Sequence, residues 1–233
     1  MSTYKLEIFN GHPIIKEGEN IILIDTGAPT TIHSSDRLQF NNQAFNVTSS
    51  YMGLTTGYVS ELLGMNITTL MGMDVLSKFK FSLNYKNNIV AFLKTETEDN
   101  NSKLIGKGLL VLISTFMGIP IIELEVNNKK LKFFLDTGAN ISYLPEAITN
   151  NMYSKGTESD YYPGFGKFDT PIYELETKIG NEKFQARYGN LPQLLQMSLQ
   201  LGNIDGIIGF DFFNNFNIIL DQDNNKLYYK VVK

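Results

Sequence analysis

The sequence predicts a mainly β protein built from two similar halves, and three observations carry that prediction. The tripeptide Asp-Thr-Gly occurs twice, each time at the end of an apolar run: Ile21-Ile22-Leu23-Ile24 leads into Asp25-Thr26-Gly27-Ala28, and Phe133-Phe134-Leu135 into Asp136-Thr137-Gly138-Ala139. The flanks repeat as well. Short runs rich in Ile, Leu, Val, Phe and Tyr alternate with Asn, Gly and Lys turns along the whole chain, which is the pattern of strands.

Taken in chain order, the first strand signal is Tyr4–Phe9, and the second is the Ile21–Ile24 run. Phe9-Asn10-Gly11-His12-Pro13-Ile14-Ile15 matches Phe116-Met117-Gly118-Ile119-Pro120-Ile121-Ile122 at five of seven positions. That first block repeats at an offset of 107, whereas the Asp-Thr-Gly-Ala blocks repeat at 111. The four additional residues of the second copy are expected in its turn, around Asn127-Asn128-Lys129-Lys130, where a hairpin tolerates insertion. Leu70-Met71-Gly72 precedes Met73-Asp74-Val75-Leu76-Ser77-Lys78-Phe79, and Ile207-Ile208-Gly209 precedes Phe210-Asp211-Phe212-Phe213-Asn214-Asn215-Phe216. After each Gly a short amphipathic helix is expected, with Asp74 and Asp211 as its N-caps. Ile89–Leu93, Ile121–Val126, Leu131–Leu135, Ile218–Leu220 and Leu227–Val232 read as strands. Asn87-Asn88 and Asn224-Asn225 read as hairpin turns, because Asn tolerates the left-handed conformation. Leu191–Leu201 reads as a further short helix. Three repeated blocks in one order indicate an internal duplication, and a period above 100 residues makes two domains rather than a solenoid. The polar, acidic stretch Thr95–Lys103 is the expected junction. The domains are then residues 1–97 and 104–233, with a linker at 98–103.

The second copy is the longer. Asp25 to Gly72 spans 47 residues and Asp136 to Gly209 spans 73. The excess includes Tyr161-Tyr162-Pro163-Gly164-Phe165-Gly166-Lys167-Phe168, where glycines among aromatics suggest a mobile hairpin tip with apolar faces.

Composition excludes several chemistries. Without cysteine there is no disulfide, thiolate zinc site or cysteine nucleophile. The two histidines, His12 and His33, are too few for a histidine-rich metal site and read as turn or surface residues. No metal and no cofactor is expected. The net charge of −4 and the lack of a basic cluster argue against nucleic acid. No apolar run is long enough to span a bilayer, and the N-terminus lacks a signal-peptide core, so a cytoplasmic protein with no membrane partner is expected.

The chemistry points to the two acids. A carboxylate at the end of a buried strand is costly to desolvate without a partner. Two such acids in two similar settings are each other's partner. Asp25 and Asp136 are therefore expected to share one proton and activate water.

The duplicated Asp-Thr-Gly-Ala, each followed downstream by two apolar residues and Gly, resembles the retropepsin and pepsin superfamily of aspartic peptidases. The Gly-x-Asp-x-x-x-x-Phe continuation looks like the bacterial retropepsin-like branch. The resemblance implies two β-barrel lobes in one chain, joined by an interdomain sheet, with short helices and a cleft covered by flaps. It implies that Thr26 and Thr137 cross-link the two loops, and that the amides of Gly27 and Gly138 support the carboxylates. Tyr161, Tyr162, Gly164, Phe165 and Gly166 would form the substrate-binding flap of the second lobe. Tyr51–Gly57 would be a reduced flap on the first. The implied activity is cleavage of extended, apolar peptide or unfolded protein by a monomer that contains its own pseudo-dimer. The alternative is a non-catalytic peptide-binding or interaction module on the same fold.

Overall fold

The structure, a computed structural model, describes residues 1–93, 105, 108–162 and 165–232. The expected linker at 98–103 and the flap residue Gly164 lie outside the described residues. The fold is mainly β, with two lobes on either side of a shared six-stranded sheet.

In the second half, Ile119–Val126 pairs antiparallel with Lys129–Leu135, which runs parallel to Gly206–Ile208. Gly206–Ile208 pairs with Ser142–Leu144, which runs parallel to Glu182–Asn190, and that strand pairs with Tyr173–Ile179. Tyr173–Ile179 returns to the first strand at Glu125↔Lys178 and Val126↔Thr177, closing a six-stranded barrel. The first half repeats the beginning of this path without closing it. His12–Glu17 pairs with Asn20–Ile24, which runs parallel to Thr69–Met71, which pairs with Ile32–His33.

The four additional residues of the second copy do not lie in its turn. Both hairpins turn on two residues, Gly18-Glu19 in one and Asn127-Asn128 in the other. The second hairpin instead has strands of eight and seven residues against six and five. Adding two residues to each arm keeps the period-2 alternation, so the core-facing side chains stay on the same face.

The shared sheet joins the halves. Lys80–Asn84 of the first pairs with Phe216–Asp221 of the second, with Phe81 opposite Leu220 and Leu83 opposite Ile218. Asn88 and Asn225 adopt positive φ in the adjoining turns, as expected for Asn there. One core, including Leu6, Phe81, Phe92, Phe212 and Tyr229, draws on both halves. Each lobe adds a core of its own: Ile14, Leu23, Ile32 and Leu70 in the first, Ile121, Phe134, Tyr143 and Ile207 in the second. The cost of aligning the lobes is thus offset by apolar burial common to both.

Two further expectations are corrected. Asp74 and Asp211 are not N-caps: Gly72 and Gly209 are the N-cap residues of the helices Met73–Leu76 and Phe210–Asn215, and each Asp is the second helical residue. The Asp74 carboxylate accepts from the Val75 amide of its own helix at 2.8 Å, and also from the Thr31 amide, at 2.9 Å, and the Thr31 hydroxyl. Asp211 accepts from the Arg187 amide at 2.8 Å. His33 is not a surface residue. It is buried in Ile32–His33, with Nδ1 2.8 Å from the Thr69 hydroxyl. The helix Gln193–Leu201 stands where a short helix was expected.

Candidate active site

The parallel strand pairs place the two acids. Asp25 follows Asn20–Ile24, and its amide donates to the Met71 carbonyl at 3.0 Å. Asp136 follows Lys129–Leu135, and its amide donates to the Ile208 carbonyl at 3.0 Å. Leu70-Met71 and Ile207-Ile208 therefore lie directly beside the strands that present the acids, each apolar pair fixing where its loop begins.

The loops are then tied to each other. The Thr26 hydroxyl donates to the Leu135 carbonyl at 2.6 Å and accepts from the Thr137 amide at 2.9 Å. The Thr137 hydroxyl donates to the Ile24 carbonyl at 2.7 Å and accepts from the Thr26 amide at 3.0 Å. Both threonines are fully buried, so these bonds are not exposed to competition from water.

This interlock brings the Asp25 and Asp136 carboxyl groups into hydrogen-bond contact with each other. The Gly27 and Ala28 amides donate to Asp25 Oδ1 at 2.9 and 3.0 Å, and the Gly138 amide donates to Asp136 Oδ1 at 2.8 Å. Each loop glycine lies under the opposite acid. A Cβ on Gly27 would stand 2.2 Å from Asp136 Cγ, and one on Gly138 would stand 2.6 Å from Asp25 Cγ. Only a residue without Cβ permits that approach.

Burial pushes both acids upward from the ordinary carboxylate range. The amide hydrogen bonds and Asp136 oppose the shift at Asp25, while the like charge of Asp25 adds to it at Asp136. Two carboxyl groups in contact cannot both ionise cheaply, so the pair retains one proton and titrates as a unit. Tyr85, against Phe210 and Phe213, is pushed well above its usual range by burial and by the charges of Asp136 and Asp25.

The acids lie on the floor of a cleft of about 370 Å³ between the lobes. Ile32, Leu54 and Leu70 line the first-lobe wall, and Phe116, Phe134 and Phe168 the second. The expected flap is the hairpin of Thr157–Tyr162 with Gly166–Pro171. Its Tyr161 and Tyr162 line the cleft, while Phe165 sits exposed at the tip beside Gly166. Tyr161 crosses to the first lobe and meets Tyr58 edge-to-face, ring centroids 5.4 Å apart. Tyr58 belongs to the helix Thr56–Leu63, which follows the reduced first-lobe hairpin of Ser50–Tyr51 and Leu54–Thr55.

Sequence reasoning missed Tyr143, Asp160, Tyr58 and Arg187. The Tyr143 hydroxyl donates to Asp160 on the flap, and its ring lies 6.1 Å from that of Phe168. Arg187 pairs with Glu158 at the flap base at 3.1 Å and with Asp211 at 3.5 Å, and donates to the Asn140 carbonyl. A signal did exist for Tyr143. It stands seven residues after Asp136, where Ile32 stands seven after Asp25. His12, likewise, occupies the place of Ile119 in the repeat. It is half-buried near Gly138 and Asp160, and burial lowers its pKa despite both neighbours.

No family model matches the chain, and no curated protein does. Among solved structures, the aspartic proteinase from Irpex lacteus aligns with all of this chain and 97% of its own, at 12% identity and a TM-score of 0.51. The retropepsin-like aspartic protease from Rickettsia conorii aligns at 20% identity over 52% of this chain and 89% of its own, TM-score 0.38. The protease of simian foamy virus (mac) aligns at 22% identity over 38% and 86%, TM-score 0.29. The full-length alignment shows that this chain has the two-lobed fold of an aspartic proteinase.

Proposed function

We propose that this protein is an aspartic-type endopeptidase that hydrolyses peptide bonds in extended, largely apolar segments of peptide or unfolded protein. The observation that carries the reading is the contact of Asp25 with Asp136 on the floor of an apolar cleft, one acid from each half of the chain. The two-lobed fold supports it.

The pair holds a water between its oxygens. The ionised carboxyl takes a proton from that water while the protonated one donates to the scissile carbonyl oxygen. Water oxygen bonds to the carbonyl carbon and a tetrahedral diol forms. The C–N bond then breaks as a dyad proton goes to the departing nitrogen and a diol hydroxyl gives its proton back to the pair, which returns to its singly protonated state. The shared proton belongs to the pair, so neither Asp has a fixed role. The Thr26–Thr137 interlock keeps the two carboxyls in register before substrate arrives, which is where positioning lowers a barrier. The flap excludes water from the reacting centre. Because one chain supplies both acids, the active species is a monomer, and activity per molecule is independent of dilution.

Incubation of a peptide library with the protein and with Asp25→Asn, with a statine-type transition-state mimic as inhibitor, tests the reading. Cleavage by the wild type alone, blocked by the mimic, is expected. Peptide bound but never cut would instead identify a binding module.

A further inference from the structure

We infer that Asp160 is a specificity residue that selects a cationic substrate side chain, Lys or Arg, at the subsite between the second-lobe flap and the Asp136 loop. The inference deepens the peptidase reading and rests on it.

Apart from Asp25 and Asp136, Asp160 is the only charged side chain among the described residues that line the cleft. It is held in place from two sides. Oδ1 accepts from the Tyr161 amide at 2.7 Å, and Oδ2 accepts from the Tyr143 hydroxyl. Both donors are neutral. Burial and the neighbouring carboxylates push Tyr143 upward, so its hydroxyl stays protonated and donates to Asp160. Arg187, at the flap base, is engaged with Glu158 and Asp211. His12 faces Asp160, but burial holds its pKa down and keeps the imidazole neutral near neutral pH. Among the described residues, Asp160 therefore has no ion-pair partner.

A fixed carboxylate at the wall of an apolar cleft attracts a cation more strongly than it would in water. Lys and Arg suit this place chemically. Their methylene stems pack on apolar wall while the head group reaches the charge. The aromatic wall here is Phe116, Phe134 and Phe168. A Leu at the same position leaves the carboxylate unpaired, and a Glu is repelled. The first-lobe wall offers no equivalent acid among the described residues, so the preference acts on one side of the scissile bond only.

The test walks Lys, Leu or Glu through each position of an otherwise apolar peptide and compares kcat/KM. At one position the wild type is expected to favour Lys over Leu by about tenfold or more, the size of one charge-assisted hydrogen bond, with Glu poorest. In Asp160→Asn, whose side chain still meets Tyr143 and the Tyr161 amide, the Lys-to-Leu ratio falls toward one. A wild type without a Lys preference at any position overturns the inference, as does a ratio unchanged by Asp160→Asn. Should no peptide be cut, the peptidase reading fails. Fluorescence anisotropy of the same peptides on Asp25→Asn then decides the inference separately: tighter binding of the Lys peptide supports it, and equal binding overturns it.

Discussion

Replacing Thr26 by Val measures what holds the two acids together. Val keeps the shape of Thr and removes only the hydroxyl, so no cavity complicates the result. The hydroxyl serves two groups of the opposite half, the Leu135 carbonyl at 2.6 Å and the Thr137 amide at 2.9 Å. The site is 1% exposed, so water cannot replace either bond without rearrangement. Each buried backbone group left without its partner costs about 1–3 kcal/mol, giving roughly 2–6 kcal/mol for Thr26→Val. In a chain of this size that is a fall in Tm of roughly 5–20 °C. Thr26→Ser retains the hydroxyl and loses one methyl, for about 1 kcal/mol. Thr137→Val removes the reciprocal pair of bonds, to Ile24 and Thr26. Loops already freed by one substitution hold the other threonine less well, so the double variant is expected to cost less than the sum of the singles. Urea denaturation of the four variants supplies these values. Thr26→Val within about 0.5 kcal/mol of wild type, or indistinguishable from Thr26→Ser, would refute the interlock as the element that aligns the lobes.

Asp25→Asn and Asp136→Asn are each expected to abolish peptide cleavage, with the double variant little worse, because the pair acts as a unit; turnover by either single variant in the library assay would sink the mechanism. Gly138→Ala should do the same without removing an acid, since its Cβ would overlap the Asp25 carboxyl, and an active, folded Ala variant would contradict that geometry. Both acids have raised pKa values in the fold, so their favourable contribution is complete below the unfolded carboxylate range and is lost as pH rises through the folded values. Asp136→Asn cannot ionise there, so its Tm relative to wild type should increase from pH 4 to pH 8; a constant difference between the two melting series would contradict the sign. The Tyr58–Tyr161 contact closes the flap onto the first lobe, so Tyr58→Ala should raise hydrogen exchange in the Thr157–Tyr162 strand of the free protein, and unchanged exchange would show that this contact does not hold the flap.

The strands, their turns and the duplicated frame were legible in the residues because each depends on near neighbours. An apolar run ending at Asp25 or Asp136, or a turn at Asn88 or Asn225, carries its signal within a few positions. The pairing of Asp25 with Asp136 was also within reach, since two equal loops in one chain invite a two-fold arrangement. What the sequence left open was what each polar group meets across a gap in the chain. Asp74 and Asp211 look like caps because a cap needs only the next three residues. Asp74 does meet the Val75 amide, but no local pattern shows that the two carboxylates also accept from Thr31, 43 residues away, and Arg187, 24 away. The four additional residues of the second copy look like turn because turns tolerate insertion. The tertiary structure spends them on two longer strand arms, where the closed barrel pairs Glu125 and Val126 with Lys178 and Thr177. Nothing along the chain marks Tyr143 and Asp160, 17 residues apart, as a pair. Only the folding of the flap back over the Asp136 loop brings the hydroxyl to the carboxylate, because a hydrogen bond depends on distance in space and a sequence records only distance along the chain.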